Sequence, residues 1–381
     1  MTSRQRLLTV LSGGIPDCVP VAPDISNMIP ARLTGKPFWD LYLYNDPPIW
    51  ECYIAAAKTF DIDSAMDGYF WMDLEDPKTQ DPTRERFIVH KDERMIVTQW
   101  SWLDNGKRQW ANTVDVYYVA DSPTCGVPLE KVNIGLPDVP TRWEPLEGVQ
   151  SVDHGPAGLQ RVKNLMGDQG LVGIFIASTS ALRSPDAIYE YYDHPEKHEL
   201  WAQQRVEEVE KKFARLLASP VQPDFLCVGG SGTLIFQTMD IFQQLAWPAV
   251  KRGIELATAN GFMTHVHSCG PEAALVKFLA ENSSLTVIDP LEISPMGDCD
   301  LKQLKRLYGH KLTLKGNLHT TNVMLRGSVA DVVAASKQAI DDAAEGGRFI
   351  LSTGDQCGRD TPYDNLRAMV DTARTYGRYK R

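Results

Sequence analysis

The chain has 381 residues, 43% of them hydrophobic and 23% charged, with a formal net charge of -10. No run of about 18 apolar residues is available to span a bilayer, and the Lys and Arg residues are not clustered as a nucleic-acid ligand would require. What remains is a soluble globular protein.

In chain order, the first eleven residues, Met-Thr-Ser-Arg-Gln-Arg-Leu-Leu-Thr-Val-Leu, read as an amphipathic helix. They lack the long apolar core and small-residue cleavage site of a secretory signal, so a cytoplasmic protein is expected. Seven cysteines, at 18, 52, 125, 227, 269, 299 and 357, show no disulfide-like spacing and are expected as reduced thiols. Apolar runs bounded by turn residues follow at 19–25, 60–66, 171–178, 224–230, 262–268, 285–290, 312–317 and 349–353. Short runs of this kind are what buried parallel strands look like. Helical patterns such as those at 194–218, 240–259, 271–281, 300–308 and 328–345 lie between consecutive runs, and eight strand–helix alternations predict a (β/α)8 TIM barrel, 1–381, as a single domain. Residues 76–150 break the rhythm. Arg-Phe-Ile-Val-His, Met-Ile-Val-Thr-Gln-Trp and Val-Asp-Val-Tyr-Tyr-Val alternate as antiparallel strands do, which predicts a β-hairpin-rich insertion after the second barrel strand.

In a barrel the loops after the strands form the active face. The predicted strand ends carry Asp24 with Asn27, Asp67, Ser178, Gly229 to Ser231, His267 with Cys269, Glu292, Asn317 with His319, and Asp355 with Cys357. Asp, Asn and Ser also cap helices at such turns, so Asp24, Ser178 and Asn317 are explained equally well by capping. His267 and Cys269 are less easily explained away: at i and i+2 in a strand they share one face, and an imidazole and a thiolate facing the same way are half of a tetrahedral zinc site. Strands five, six and eight converge over one mouth, so Glu292 and Asp355 or Cys357 can complete the set. Asp67 reads as a general acid, a substrate anchor or a helix cap. His319 reads as a proton shuttle or a solvated loop residue. Tyr69, Phe70, Trp71 and Phe236 are candidates for an apolar pocket or for simple packing.

These residues carry a family resemblance. The opening Arg-Gln-Arg-Leu-Leu and Pro-Asp-Cys-Val-Pro-Val, the Trp247-Pro248 helix, His267-Ser-Cys269-Gly, Gly316-Asn317-Leu318 and the tail Gly347 to Asn365 together resemble the uroporphyrinogen decarboxylase superfamily, and within it the corrinoid-linked methyltransferases, including the methylcobamide to coenzyme M enzymes of methanogens. The resemblance implies a (β/α)8 barrel. In its zinc-binding branch the metal takes a His and a Cys after strand five and a Cys after strand eight. Counting back from Thr361-Pro362, that last position falls on Asp355, with the thiol displaced to Cys357, so either residue could be the third ligand. The metal-free decarboxylase branch grips its porphyrinogen with an Arg-rich early loop, and Asp24 to Arg32 lacks the Arg-x-x-Gly-Arg pattern that would pair with propionates.

The function expected from the resemblance is zinc-dependent methyl transfer between a small methylated substrate or acceptor (an ether, amine, thiol or tetrahydrofolate) and the cobalt of a corrinoid. The chain has no recognisable corrinoid-binding module, so the corrinoid is expected on a separate partner protein. Asp67, Glu292 and Asn317 are the catalytic candidates, Ser178, Ser231 and His319 the cofactor-contact candidates, and His267, Cys269, Glu292, Asp355 and Cys357 the metal-ligand candidates. No nucleic-acid or membrane partner is expected, and exposed barrel helices are compatible with a homodimer. The runner-up is a metal-free lyase acting on a tetrapyrrole or a small carboxylate.

Overall fold

The structure, a computed structural model, describes residues 1–74, 84–182 and 184–380. The first residues of the predicted insertion, 76–83, lie outside the described residues. Twelve strands are present among the described residues: β1 Ser64–Met66, β2 Glu85–Lys91, β3 Met95–Asp104, β4 Lys107–Tyr118, β5 Thr124–Pro128, β6 Glu144–Pro145, β7 Gly170–Phe175, β8 Phe225–Cys227, β9 Met263–His267, β10 Val287–Asp289, β11 Thr313–Leu318 and β12 Phe349–Thr353. They form a seven-stranded parallel sheet, β1-β7-β8-β9-β10-β11-β12, and a five-stranded antiparallel sheet, β5-β4-β3-β2-β6.

The seven strands match the predicted runs from 60–66 onward, and the fold is the (β/α)8 barrel that the alternation implies. The expected first strand, 19–25, is reduced to an isolated parallel bridge between Val21 and Leu351. Pro20 and Pro23 have no N–H to give to a ladder, so pairing there cannot be continuous. The segment still closes the barrel: Ala22 N–H donates to Leu351 O (2.8 Å), Leu351 N–H to Pro20 O (2.9 Å) and Asp63 N–H to Val21 O (2.8 Å). Every residue of β11 and β12 is buried, as expected for strands covered on both faces.

The N-terminal helix, Ser3–Leu11, starts at a capping box in which Thr2 and Gln5 satisfy each other's backbone N–H groups. Its Leu7, Val10 and Leu11 pack with Leu171, Phe225, Val287 and Ile350 and so fill the interior at the N-terminal end of the strands. Outer helices are found at Pro195–Ala218, Trp247–Ala259, Ala273–Asn282, Leu301–Tyr308 and Val329–Ala343, close to the predicted patterns. Among the described residues no helix is long and apolar enough to cross a membrane.

The chain divides into two compact units. One is Met1–Ser26, Ala57–Leu74 and His154–Arg381, the barrel; the other is Asn27–Ala56 and Glu75–Asp153. The second unit holds the antiparallel sheet and also takes in residues 27–56. Its core joins Leu43, Ile88, Ile96 and Tyr117, with a second cluster of Val97, Val114, Val116 and Leu129. Strands β3 and β4 meet at Asn105-Gly106, both with positive φ (49° and 76°), the two-residue turn whose twist suits a hairpin.

Candidate functional site

Inward side chains change character along the barrel strands. Ala65, Phe225, Met263, Val287 and Ile350 belong to the apolar cluster around the N-terminal helix. Two residues further along each strand, where side chains again face the same way, stand Asp67, Cys227, His265 and Asp289, joined by Lys315 of β11. This middle layer is an ion network. His265 bonds the Asp67 carboxylate through Nδ1 (2.5 Å) and Asp289 through Nε2 (2.9 Å). The Cys227 thiol donates to Asp67 (3.0 Å), and the Lys315 ammonium donates to the second oxygen of Asp289.

Asp289, His265 and Lys315 are 3%, 5% and 9% exposed, so their charges persist only because they are matched. Burial alone would drive Asp289 up, but Lys315, His265 and His267 hold it well below the usual carboxylate range. Burial works against the His265 imidazolium, and Asp289 and Asp67 override it, pushing the group up to about 9. The Cys227 thiol, buried beside Asp67, is pushed well above its ordinary value.

The next layer is at the mouth. His267 ends β9, with Nδ1 3.0 Å from Asp289 Oδ1 and Nε2 3.6 Å from Asp355 Oδ1. Burial opposes protonation of this ring, yet Asp289, Cys269 and Asp24 raise it well above its ordinary value. Cys269 lies past the strand rather than in it. The turn that carries it is fixed by Ser268 N–H donating to Asp289 O (2.8 Å) and Gly270 N–H donating to Glu292 Oε2 (2.5 Å). Ser231 Oγ is 2.9 Å from Cys269 Sγ. Gly229 lets the preceding strand end pass close by: a Cβ there would stand 2.6 Å from His267 N and 2.8 Å from Val266 Cα.

Donor atoms of His267, Cys269 and Asp355 lie within 4.8 Å of one another. Nitrogen, sulfur and oxygen donors in a trio suit zinc, and three protein ligands with a fourth position left for water or substrate is the pattern of catalytic zinc sites. Of the two candidate third ligands, the structure brings Asp355 into this group and sets Cys357 outside it. Cys357 is fully buried, its N–H donating to Asp24 O (2.8 Å), and burial beside Asp24 pushes its thiol up to about 12. Asp24 itself, raised by burial, adds a further carboxyl near His267 and Lys315.

The remaining candidates are distributed around this trio. Glu292 lies outside the 4.8 Å group; it is 6% exposed, and its carboxyl, raised by burial, is held by Gly270 N–H. Asn317 donates to Leu291 O (3.0 Å) and so braces the loop that carries Glu292. Ser178 and Ser231 line a cleft of about 530 Å³ together with Phe175, Arg205, Lys212 and His267, and Arg205 donates to Ser178 O (2.6 Å). His319 is spent as a cap, its Nδ1 accepting from Thr321 and Asn322 N–H (3.1 Å each). Asp67 caps no helix: it belongs to the ion layer. Of the aromatic candidates, Phe70 is buried and Trp71 stacks on His154 at 3.7 Å between centroids; the aromatic side chain in the cleft is Phe175. Sequence reasoning missed Cys227, His265, Asp289 and Lys315. The signal was the same i, i+2 spacing that linked His267 to Cys269, continued one step back into each strand.

Similarity to one solved structure over the whole chain agrees with this fold. Residues 231–376 match the family model described as uroporphyrinogen decarboxylase (URO-D). Among solved structures, a methyltransferase from Methanosarcina mazei is similar over 99% of both chains, with 15% identity and a TM-score of 0.57. A B12-independent methionine synthase from Shewanella sp. W3-18-1 is more distantly similar, over 72% of this chain and 75% of that one, at 14% identity and a TM-score of 0.37. No curated protein matches the chain in sequence.

Proposed function

We propose that this chain, a member of the uroporphyrinogen decarboxylase superfamily, is a zinc-dependent methyltransferase that moves a methyl group between a small methylated molecule and the cobalt of a corrinoid held by a separate protein. The observation that carries the proposal is the trio His267, Cys269 and Asp355, whose donor atoms lie within 4.8 Å of one another, with His267 also lining a cleft. When bound, zinc supplies Lewis acidity that polarises the heteroatom bearing or receiving the methyl group. His267, Cys269 and Asp355 would hold it. With one thiolate in place of two, this donor set is harder than the usual one of the branch, which favours an ether, amine or thioether donor over a free thiol acceptor.

The chain's own residues do the positioning. Phe175, Ala177, Val209 and Ala249 give the cleft an apolar wall for the body of the substrate, while Ser178 and Ser231 offer hydroxyls near His267. In the demethylating direction the carbon–heteroatom bond breaks with its pair left on the heteroatom, and Co(I) supplies the pair that forms the new carbon–cobalt bond. Trp71, Phe175, Ile235, Phe236 and Met296 follow or end strands around the mouth and are 63%, 45%, 54%, 50% and 58% exposed. Such apolar side chains, with the acidic net charge, support docking of a partner that brings the cobalt. Tetrahydrofolate or another small acceptor would enter the same cleft.

The test is zinc content per chain by elemental analysis, measured beside methylation of a Co(I) corrinoid followed by absorbance, on wild type, Cys269→Ala, Asp355→Ala and Cys357→Ala. About one equivalent is expected in wild type and in Cys357→Ala, with loss of metal and methyl transfer in the other two. Zinc-free protein throughout would end the proposal in favour of the metal-free lyase reading, which the description of the matched family favours.

A further inference from the structure

We infer that Asp289 is the positioning residue of His267, and that the buried pair Lys315 and His265 serves to keep Asp289 in place. The inference rests on the zinc reading above for its functional meaning. Its geometry stands without it.

Asp289 ends β10 and is paired in register with His267 of β9. One of its oxygens, Oδ1, meets His267 Nδ1 at 3.0 Å and His265 Nε2 at 2.9 Å; the other takes the Lys315 ammonium. A carboxylate accepts and cannot donate, so this contact obliges His267 to carry its hydrogen on Nδ1. Nε2, the nitrogen left to bind a metal when the ring is neutral, faces Asp355, 3.6 Å away, on the Cys269 side of the mouth. A partner on the far nitrogen of this kind orients a ligating imidazole and raises its basicity.

A lone carboxylate that is 3% exposed would not be tolerated. Lys315 balances it from β11. His265, anchored on its other side by Asp67 at 2.5 Å, fixes its lateral position. The result is a rigid series across the barrel, Asp67 to His265 to Asp289 to His267, with Lys315 closing the charge balance. Asp67, Cys227 and His265 also lie within 4.8 Å of one another. Here, however, both ring nitrogens of His265 are spent on carboxylates, so this lower set supports the upper site and leaves no imidazole lone pair for an ion of its own.

The test uses Asp289→Asn, the conservative Asp289→Glu, and Asp289→Asn combined with Lys315→Met, which removes the charge pair together and protects the fold. Zinc affinity is read by competition with a chromophoric chelator. The bonded Nδ1 proton of His267 is read by NMR in 15N-histidine-labelled, zinc-free protein. Expected are roughly 10- to 100-fold weaker zinc binding in Asp289→Asn and in the double variant, recovery toward wild type in Asp289→Glu, and a protected, downfield Nδ1 proton in wild type that is absent from Asp289→Asn. Wild-type affinity in the double variant, or a second zinc equivalent lost in Cys227→Ala, overturns the inference. Should wild type take up no zinc, the metal reading falls while the proton still decides: its presence in zinc-free wild type upholds the Asp289 to His267 link, and its absence refutes it.

Discussion

Asp355 holds its carboxylate on a backbone with φ +100°, a conformation comfortable for glycine and costly for residues with a Cβ. Residues in such conformations persist where the surroundings impose them, at a cost of order 1–3 kcal/mol. The side chain is 30% exposed and faces His267 3.6 Å away, so the carboxylate contributes little to the fold that would compensate. Asp355→Gly should therefore raise metal-free stability by about 1 kcal/mol, the relief of strain being partly offset by a more flexible unfolded chain, while zinc retention falls. Denaturant midpoints measured beside zinc content check both halves. A less stable variant that keeps its zinc would mean that Asp355 is a structural residue. The two positions after β12 could not be separated by sequence, because Asp355 and Cys357 both follow its end, Thr353, within one short turn. What separates them is the direction of the turn, which buries Cys357 against Asp24 and leaves Asp355 at the mouth.

The loop and helix that follow β9 contribute a titrating group of their own. Glu272, just before the helix Ala273–Asn282, is 1% exposed and accepts from Leu234 N–H at 3.0 Å. Burial pushes its carboxyl from 4.5 up to about 7, with Asp298 and Glu292 adding to the effect and the Leu234 and Ser268 contacts opposing it. Between pH 4.5 and 7 the native chain keeps a proton that the unfolded chain has released, so stability falls as pH rises through that window, and the loss is complete above it. The ionised group costs on the order of 3 kcal/mol. Glu272→Gln, measured by denaturant unfolding of metal-free protein, should match wild type near pH 4.5 and exceed it by up to about that amount at pH 8. A difference that does not change with pH would assign Glu272 a packing role instead. The same stretch shows what alternation reveals. His267 and Cys269 stood out because they are only two residues apart in the chain. Asp289 and Lys315 lie inside the runs 285–290 and 312–317, which read only as strands. Their common layer emerges only when neighbouring strands are laid in register, and register is a property of the closed sheet. The hairpin at Asn105-Gly106, by contrast, had a local signal in its turn residues that needed no tertiary information.

At the scale of the molecule, eight alternations of apolar run and helical pattern were enough to specify a barrel, because each run is buried on both faces and each must be followed by a crossover. How the barrel closes was not legible, since the closing segment, broken by Pro20 and Pro23, cannot pair continuously and depends on distant partners. The principal one is Asp63, which is fully buried just before β1. It accepts from Val21 N–H (2.8 Å), Arg6 Nη1 (2.6 Å) and Arg374 Nη1 (2.7 Å) and Nη2 (3.0 Å). One carboxylate thus ties the N-terminal helix, the closing segment and the C-terminal helix Tyr363–Thr375 to the first full strand. Its loss would remove the buried counter-ion that the two guanidinium groups share, leaving Arg6 on the partly exposed Asp17 and Arg374 on the exposed Asp61. Asp63→Ala should cost about 3–5 kcal/mol, whereas replacing Arg6, Asp63 and Arg374 together by apolar residues of similar volume should restore most of that stability. Because this network lies at the N-terminal end of the strands and the zinc candidates lie at the other, chains of Asp63→Ala that remain folded should keep wild-type zinc affinity. Denaturant unfolding and zinc titration on the same samples test the two statements together. A cost below about 1 kcal/mol would show that the barrel closes by apolar packing alone, and a fall in zinc affinity would show that closure at one end of the strands sets the geometry at the other.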